Sequence, residues 1–207
     1  LPLAFTRHAT SKLRRVEDLE SIHSFGFRGE ALPSIAAVGE VDCVSRPLGS
    51  DAGMRLLFRA GQPSAVKPTG APPGTTITVR ALFARQPARR KFLRRPATEL
   101  SHIVQQVTRI ALAYPGVSFL VTNMGKRSLD LAACDTLRER LGQILGQDKL
   151  ENLIEVAHRG DENTPHLHGF ISAPALRRGD TRMQNFFVNG RWVRDRRFTS
   201  ALRAAYK

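Results

Sequence analysis

The stretch Ser24-Phe25-Gly26-Phe27-Arg28-Gly29-Glu30-Ala31-Leu32 sets two glycines three residues apart, just before an apolar run at helical spacing, Leu32, Ile35, Ala36 and Val38. That pattern predicts a loop opening into a helix over about 29–38. Glycines let a backbone approach a ligand closely, and a helix start offers unpaired N–H groups and a partial positive charge. The device suits phosphates, and Arg28 inside it adds a forked donor. The same residues also make an ordinary turn before a core helix, so spacing alone leaves both readings open. Upstream, Thr10, Ser11 and Lys12 are small or cationic groups of the kind that contact phosphates, and equally of the kind found in an exposed polar loop.

These residues need a frame. Val16, Leu19 and Ile22 predict a short helix after a loop. Val41–Arg46 alternates like a strand, 47–51 breaks it, and Met54–Ala60 reads as the returning strand. Residues 61–73, rich in Pro and Gly, read as a loop. Thr75–Leu82 is a third strand, with Ile77 and Val79 on one face and Thr76, Thr78 and Arg80 on the other. Residues 87–96 look like a junction between domains.

Beyond the junction, Leu100, Ile103, Val104, Val107, Ile110, Ala111 and Tyr114 form one helical stripe. Thr98 is its expected N-cap, and Pro115-Gly116 stops it. Val117–Thr122 and Arg127–Leu131 flank Asn123-Met124-Gly125 as a hairpin, and Thr136–Leu145 is a second helix closed by Gly146. Leu153–Ala157 and His168–Ser172 are expected strands. His166 and His168 have no Cys, Asp or Glu nearby at ligand spacing and read as surface histidines, with no metal site expected. Asn189-Gly190, between Phe186-Phe187-Val188 and Trp192-Val193, is the strongest hairpin signal in the chain. Phe198–Tyr206 reads as a closing helix with Leu202 inward and Arg203 outward.

The charge is uneven. The chain carries a net +14, and residues 85–95 hold six basic residues and no acid. Residues 177–207 hold nine basic and two acidic residues, a net +7, whereas 97–176 come out at −2. Basic islands are the footprint of a polyanion-binding surface, most often nucleic acid, although an arginine-rich composition would also raise the total. Arg177, Arg178, Arg182, Arg191, Arg194, Arg196 and Arg197 are the candidates for phosphate contacts, with solvated strand ends as the plainer reading. Arg85, Arg89, Arg90 and Lys91 suit salt bridges across the junction as well as they suit DNA.

With 207 residues, the chain has room for one large or two small domains. No apolar run approaches the roughly 20 residues of a membrane span, and the N-terminal residues are too soon charged for a signal peptide. Cys43 and Cys134 are far apart and read as buried reduced thiols of a cytoplasmic protein, with no disulfide expected.

Several long strings then converge. Arg7-His8-Ala9-Thr10-Ser11-Lys12, Gly26-Phe27-Arg28-Gly29-Glu30-Ala31-Leu32, Pro73-Gly74-Thr75, Pro87-Ala88-Arg89-Arg90-Lys91-Phe92-Leu93 and Phe187-Val188-Asn189-Gly190-Arg191 stand in this order. In order and spacing the set resembles the N-terminal region of the MutL family of DNA mismatch repair proteins, within the GHKL ATPase superfamily. The resemblance runs from about Phe5 to Tyr206. It implies an α/β fold of α+β two-layer sandwiches. Residues 1–96 would form a partial GHKL (Bergerat) ATPase domain, and 97–207 a transducer domain of the ribosomal-protein βαβ type. It further implies that Thr10, Ser11, Lys12, Gly26, Phe27, Arg28, Gly29, Glu30 and Thr75 contact ATP, with residues 1–23 as the lid.

By the same resemblance, the full protein uses ATP and Mg2+. It dimerises on ATP binding, engages DNA, a mismatch sensor and a downstream endonuclease or helicase, and works in the bacterial cytoplasm at the nucleoid. The family's general-base glutamate, magnesium-binding asparagine and Asp-Asn-Gly adenine motif should precede Arg7, and its His-Pro-Ala-Lys lysine should follow Lys207. None of these is in the sequence. The expectation is therefore a fragment of a longer protein that alone neither hydrolyses ATP usefully nor binds it tightly, with an apolar sheet edge exposed. The alternatives are a non-enzymatic basic module that grips nucleic acid and a gyrase-type ATPase fragment; the first and fourth strings above argue against the latter.

Overall fold

The computed structural model describes residues 1–9, 29–161, 164–174, 176 and 180–206. The chain divides into two compact units, 1–95 and 96–207.

In the first unit, β1 (Glu40–Arg46) is the central strand. It pairs antiparallel with β2 (Gly53–Arg59) on one side and β5 (Gly74–Arg80) on the other. Alternation puts Val41, Cys43, Leu56 and Phe58 on one face, and these are buried with Ala36 of α1 (Ala31–Val38) and Phe5 of a 3-10 turn, Pro2–Phe5. Each large side chain so buried contributes about 1.5–3 kcal/mol of transfer free energy. Phe5 and Phe58 meet with ring centroids 4.6 Å apart.

Gly39 lets α1 turn straight into β1. A side chain there would press on Val79 Cγ1 at 3.2 Å and the Arg80 carbonyl at 3.3 Å. The Phe83 N–H donates to the Val38 carbonyl at 2.8 Å, so the helix C-terminus is tied to the Glu40–Arg80 end of the ladder.

The expected helix at 29–38 and the three expected strands are present. The expected loop at 61–73 instead contains β3 (Gln62–Pro63) and β4 (Lys67–Thr69), both paired to β2. Their prolines sit at the sheet margin, where a missing N–H costs least. Ile77 and Val79 share the core face, opposite Cys43 and Val41, but remain 43% and 41% exposed because β5 is an edge strand that α1 does not cover. The short α2 (Pro87–Arg90) follows.

The second unit opens with α3 (Pro96–Ala113). Thr98 is therefore not its cap. The helix starts three residues earlier than a Thr98 cap implies, because Pro96 brings a φ suited to a first helical position and lacks the N–H that would go unpaired there. The β6 (Phe119–Asn123) and β7 (Lys126–Leu131) hairpin follows, then α4 (Leu137–Leu145). Thr136 caps α4 by accepting the Glu139 N–H at 3.1 Å, and Gly146 ends it at φ +85°.

After α5 (Gln147–Leu150), β8 (Leu153–His158) pairs with β9 (Leu167–Ser172), and β10 (Phe186–Val188) with β11 (Arg191–Val193). The closing helix, α6 (Arg196–Ala205), begins two residues before its expected start because Asp195 caps it. Every described ladder is antiparallel, and the fold class is mixed α/β. The expected helix over 16–22 lies outside the described residues. No helix among the described residues is long and apolar enough to cross a membrane.

Candidate functional site

In the first unit the start of α1 is built by close backbone packing. Gly29 has φ +62°, and a Cβ there would lie 2.4 Å from the Ala9 carbonyl oxygen. Glycine is required twice over, by the left-handed conformation and by the space. Beside it His8 Nδ1 lies 3.3 Å from Glu30 Oε1, with His8 itself at φ +62°. The strings ending at Ala9 and resuming at Gly29 thus meet. The Ala31 and Leu32 N–H groups, in the first turn of α1, have no intrahelical acceptor, Glu30 makes no side-chain cap for them, and Pro33 has no N–H. Of the sequence-predicted ATP contacts, Gly29 and Glu30 are brought to this helix start. Thr10, Ser11, Lys12, Gly26, Phe27 and Arg28 lie outside the described residues.

Thr75 stands at the far end of the β1–β5 ladder from the α1 C-terminus. It is exposed, and its hydroxyl is 2.9 Å from that of Ser45, its cross-strand partner. Gly74 before it has φ +121° and open space around it. On the sheet's other face, Asp42 receives both arms of Arg55, at 2.9 and 2.6 Å. That forked hydrogen bond holds the Asp42 carboxyl below its ordinary pKa.

In the second unit the ribbon's turn is Asn189-Gly190, both at positive φ (50° and 74°), the signature of a tight hairpin. The ribbon is not wholly solvent-facing: Phe186, Phe187, Arg191, Trp192 and Val193 are half-buried. The reason is its packing. Arg109 of α3 lays its guanidinium 3.8 Å above the Trp192 ring, and Phe186 stacks on Phe198 of α6 at 5.4 Å.

Arg194 and Arg196 are exposed. Arg197 is exposed but engaged, holding Asp195 at 2.6 and 3.1 Å. Arg182 is exposed, with its backbone N–H on Asp180 at 2.9 Å. Arg177 and Arg178 lie outside the described residues. Sequence reasoning missed Arg109, and no local signal marks it, because its partner is far away in the chain. No cluster of His, Cys, Asp or Glu fit to hold a metal occurs among the described residues.

These features define a class before a family. A solved structure, the Aquifex aeolicus MutL ATPase domain complexed with ADP, superposes with a TM-score of 0.71 at 27% identity, covering 92% of this chain and 71% of that one. The crystal structure of the N-terminal domain of a DNA repair protein shares the fold, with a TM-score of 0.76 at 21% identity, over 99% of this chain and 64% of the other. By fold, the chain stands with the GHKL-type ATPase domains.

The MutL protein of Xanthomonas campestris pv. campestris is 44% identical over 207 residues, and that of Chelativorans sp. 43% identical over 210. Both alignments take in 100% of this chain and 33% of the relative, so the chain spans about a third of the length of the relatives it matches. Residues 141–207 also match the family model described as the DNA mismatch repair protein, C-terminal domain. Over its whole length the chain is thus similar to the MutL DNA mismatch repair proteins.

Proposed function

We propose that the chain carries the phosphate-contacting side of a MutL-type ATPase domain in residues 1–96 and a DNA-contacting transducer domain in 97–207. The observation that carries the nucleotide reading is the meeting of Gly29 with Ala9 at the uncapped start of α1. A helix start with spare N–H groups binds an anion through fixed dipoles that need no rearrangement. Gly29 and Glu30, with Thr10, Ser11, Lys12, Gly26, Phe27 and Arg28 leading up to them, would hold the phosphates of ATP, and Thr75 the adenine side. Bound ATP with Mg2+ supplies a phosphoryl group activated for transfer to water. The residues of this chain bind and orient it.

In the whole protein, ATP binding and hydrolysis drive lid closure and dimerisation. They couple mismatch recognition by a sensor protein to a downstream endonuclease or helicase, in the cytoplasm at the nucleoid. DNA is met by the exposed Arg182, Arg194 and Arg196, with Arg191 beside the ribbon's turn and Arg177 and Arg178 nearby in sequence. Arg197 is the weakest candidate of the set because Asp195 already occupies it.

Two titrations test this. A non-hydrolysable ATP analogue with magnesium should bind this chain only weakly, and micromolar binding would overturn the assignment of so much of the pocket to strings outside it. Binding to a labelled DNA duplex should weaken in Arg191→Glu and Arg194→Glu, with a flatter salt dependence and little change of sequence preference. Unchanged binding rejects that surface. A basic module that binds nucleic acid without nucleotide remains the second reading, favoured by exposed Arg194 and Arg196. DNA affinity that responds to ATP in the full-length protein rules it out.

A further inference from the structure

Arg109 and Trp192 form a stacked pair between α3 and β11, with 3.8 Å from the guanidinium carbon to the ring centroid. Arg194 lies close by: burial first, then repulsion from Arg194, hold Arg109 below the ordinary arginine range. Arg109 Nε and Trp192 Nε1 are buried N–H groups that meet no acceptor among the described residues. Neither Arg109 nor Arg194 belongs to any of the ion pairs among those residues, which join His8 to Glu30, Arg55 to Asp42, Arg127 to Asp130 and Arg197 to Asp195. Two neighbouring cations and two buried donors without acceptors are each unfavourable. One anion held between the Arg109 and Arg194 guanidinium groups offsets the repulsion.

We propose that Arg109 and Arg194, floored by Trp192, form a binding site for a phosphate group. Stacking fixes the plane of the Arg109 guanidinium, and a fixed planar fork is the geometry that phosphate oxygens accept in pairs. Arg194, exposed on the segment just past the ribbon, supplies the second charge. The phosphate has two possible sources, a phosphodiester of DNA or a free anion. Only the first rests on the DNA reading above.

Trp192 is the chain's single tryptophan, so its emission reports on this site alone. The 207-residue chain is titrated with a labelled DNA duplex, and separately with inorganic phosphate against chloride at matched ionic strength, while Trp192 emission and duplex anisotropy are followed. A saturable emission change is expected with the duplex. Arg109→Gln should abolish it and weaken duplex binding about tenfold, the scale of one charge-assisted hydrogen bond. Arg59→Gln, which removes an exposed charge from the other unit, should leave it intact. Arg194→Gln, which alters no packing, keeps the test open if Arg109→Gln fails to fold.

A response to phosphate alone supports the site with a free anion as its source. Duplex bound by anisotropy, with emission silent to both ligands, overturns the site and leaves the DNA reading standing. No duplex bound but a phosphate response overturns the DNA reading and leaves the site. Silence in every channel overturns both.

Discussion

Gly29 lies flat against the main chain of Ala9, so close that a Cβ at position 29 would sit 2.4 Å from the Ala9 carbonyl oxygen and 2.8 Å from its carbon. Two residues separated by nineteen others, one from each of two motifs, thereby meet at the start of α1. Gly29→Ala combines a clash with backbone that cannot yield and a side chain at φ +62°, and should cost about 2 kcal/mol or more in urea unfolding. Gly29→Asn separates the two causes, because asparagine tolerates the left-handed region but still carries a Cβ. Both variants should be destabilised alike. An Asn variant as stable as the parent would show that conformation, not contact, fixes this glycine.

How far the sequence foretold this structure depends on the range over which each feature is determined. Asn189-Gly190 was legible because its signal is local, two residues that accept positive φ, whereas Thr136, read as the first residue of its helix, is the cap just outside it. Gly29 was legible as a special position, but its reason, the Ala9 backbone, was not. The strands at Gln62–Pro63 and Lys67–Thr69 escaped because they exist only by pairing with β2, against their own composition. Thr98 misled because Pro96 competes for the helix start, and the choice is made within one turn. Alternation correctly placed Ile77 and Val79 on one face, which is the core face, yet it carries no information on how far α1 reaches across the sheet. The Arg109–Trp192 stack was beyond any pattern, since it joins a helix to a distant ribbon.

Arg140 is fully buried, at 0% exposure, and takes part in none of the ion pairs His8–Glu30, Arg55–Asp42, Arg127–Asp130 and Arg197–Asp195. Its guanidinium donates to the carbonyls of Pro115 and Val117 at 2.7 Å each and to Gln143 Oε1 at 2.9 Å. These carbonyls lie just past the C-terminus of α3, where a cation also meets the negative end of the helix dipole. The arginine thus ties α4 to the exit of α3. Arg140→Leu removes a buried charge but leaves two carbonyls without donors, and should cost about 3 kcal/mol. Arg140→Lys should recover only part of that, because one ammonium cannot span the same three acceptors. Chemical denaturation of both variants reads this out. A lysine variant as stable as the parent would mean that charge alone, without the fork, holds the junction.

The two cysteines should differ in reactivity. Cys43 is buried in the sheet, and its burial raises the thiol pKa above the ordinary value, so little thiolate forms and little reagent reaches it. Cys134 is only half-buried, with its thiol 3.6 Å from the Pro115 carbonyl. Alkylation of the native chain at mildly alkaline pH should therefore give one fast equivalent, mapped to Cys134 by peptide mass, and a second only on unfolding. Fast labelling at Cys43 would show that the β1–β2 core opens readily in solution.

Asp195 gives the structure an acid-sensitive joint. Its carboxylate accepts the Arg197 backbone N–H at 2.8 Å, capping α6, and accepts the Arg197 guanidinium at 2.6 and 3.1 Å. The side-chain bond first, then the backbone bond, pull its pKa from 3.8 to about 2. Since the folded value lies below the unfolded one, the charged form favours the folded helix. That contribution is complete above about 3.8, declines as pH falls, and is gone once pH passes below about 2. Loosening of α6 should therefore appear only in strong acid. Arg197→Gln should return the Asp195 titration toward its ordinary value and move the loosening upward in pH. Asp195→Asn keeps a capping oxygen and should erase the pH dependence while leaving the helix in place at neutral pH. Carbon-detected NMR of the Asp195 carboxyl measures each case directly. A midpoint near 3.8 in the unaltered chain would mean that the pair with Arg197 does not persist in solution.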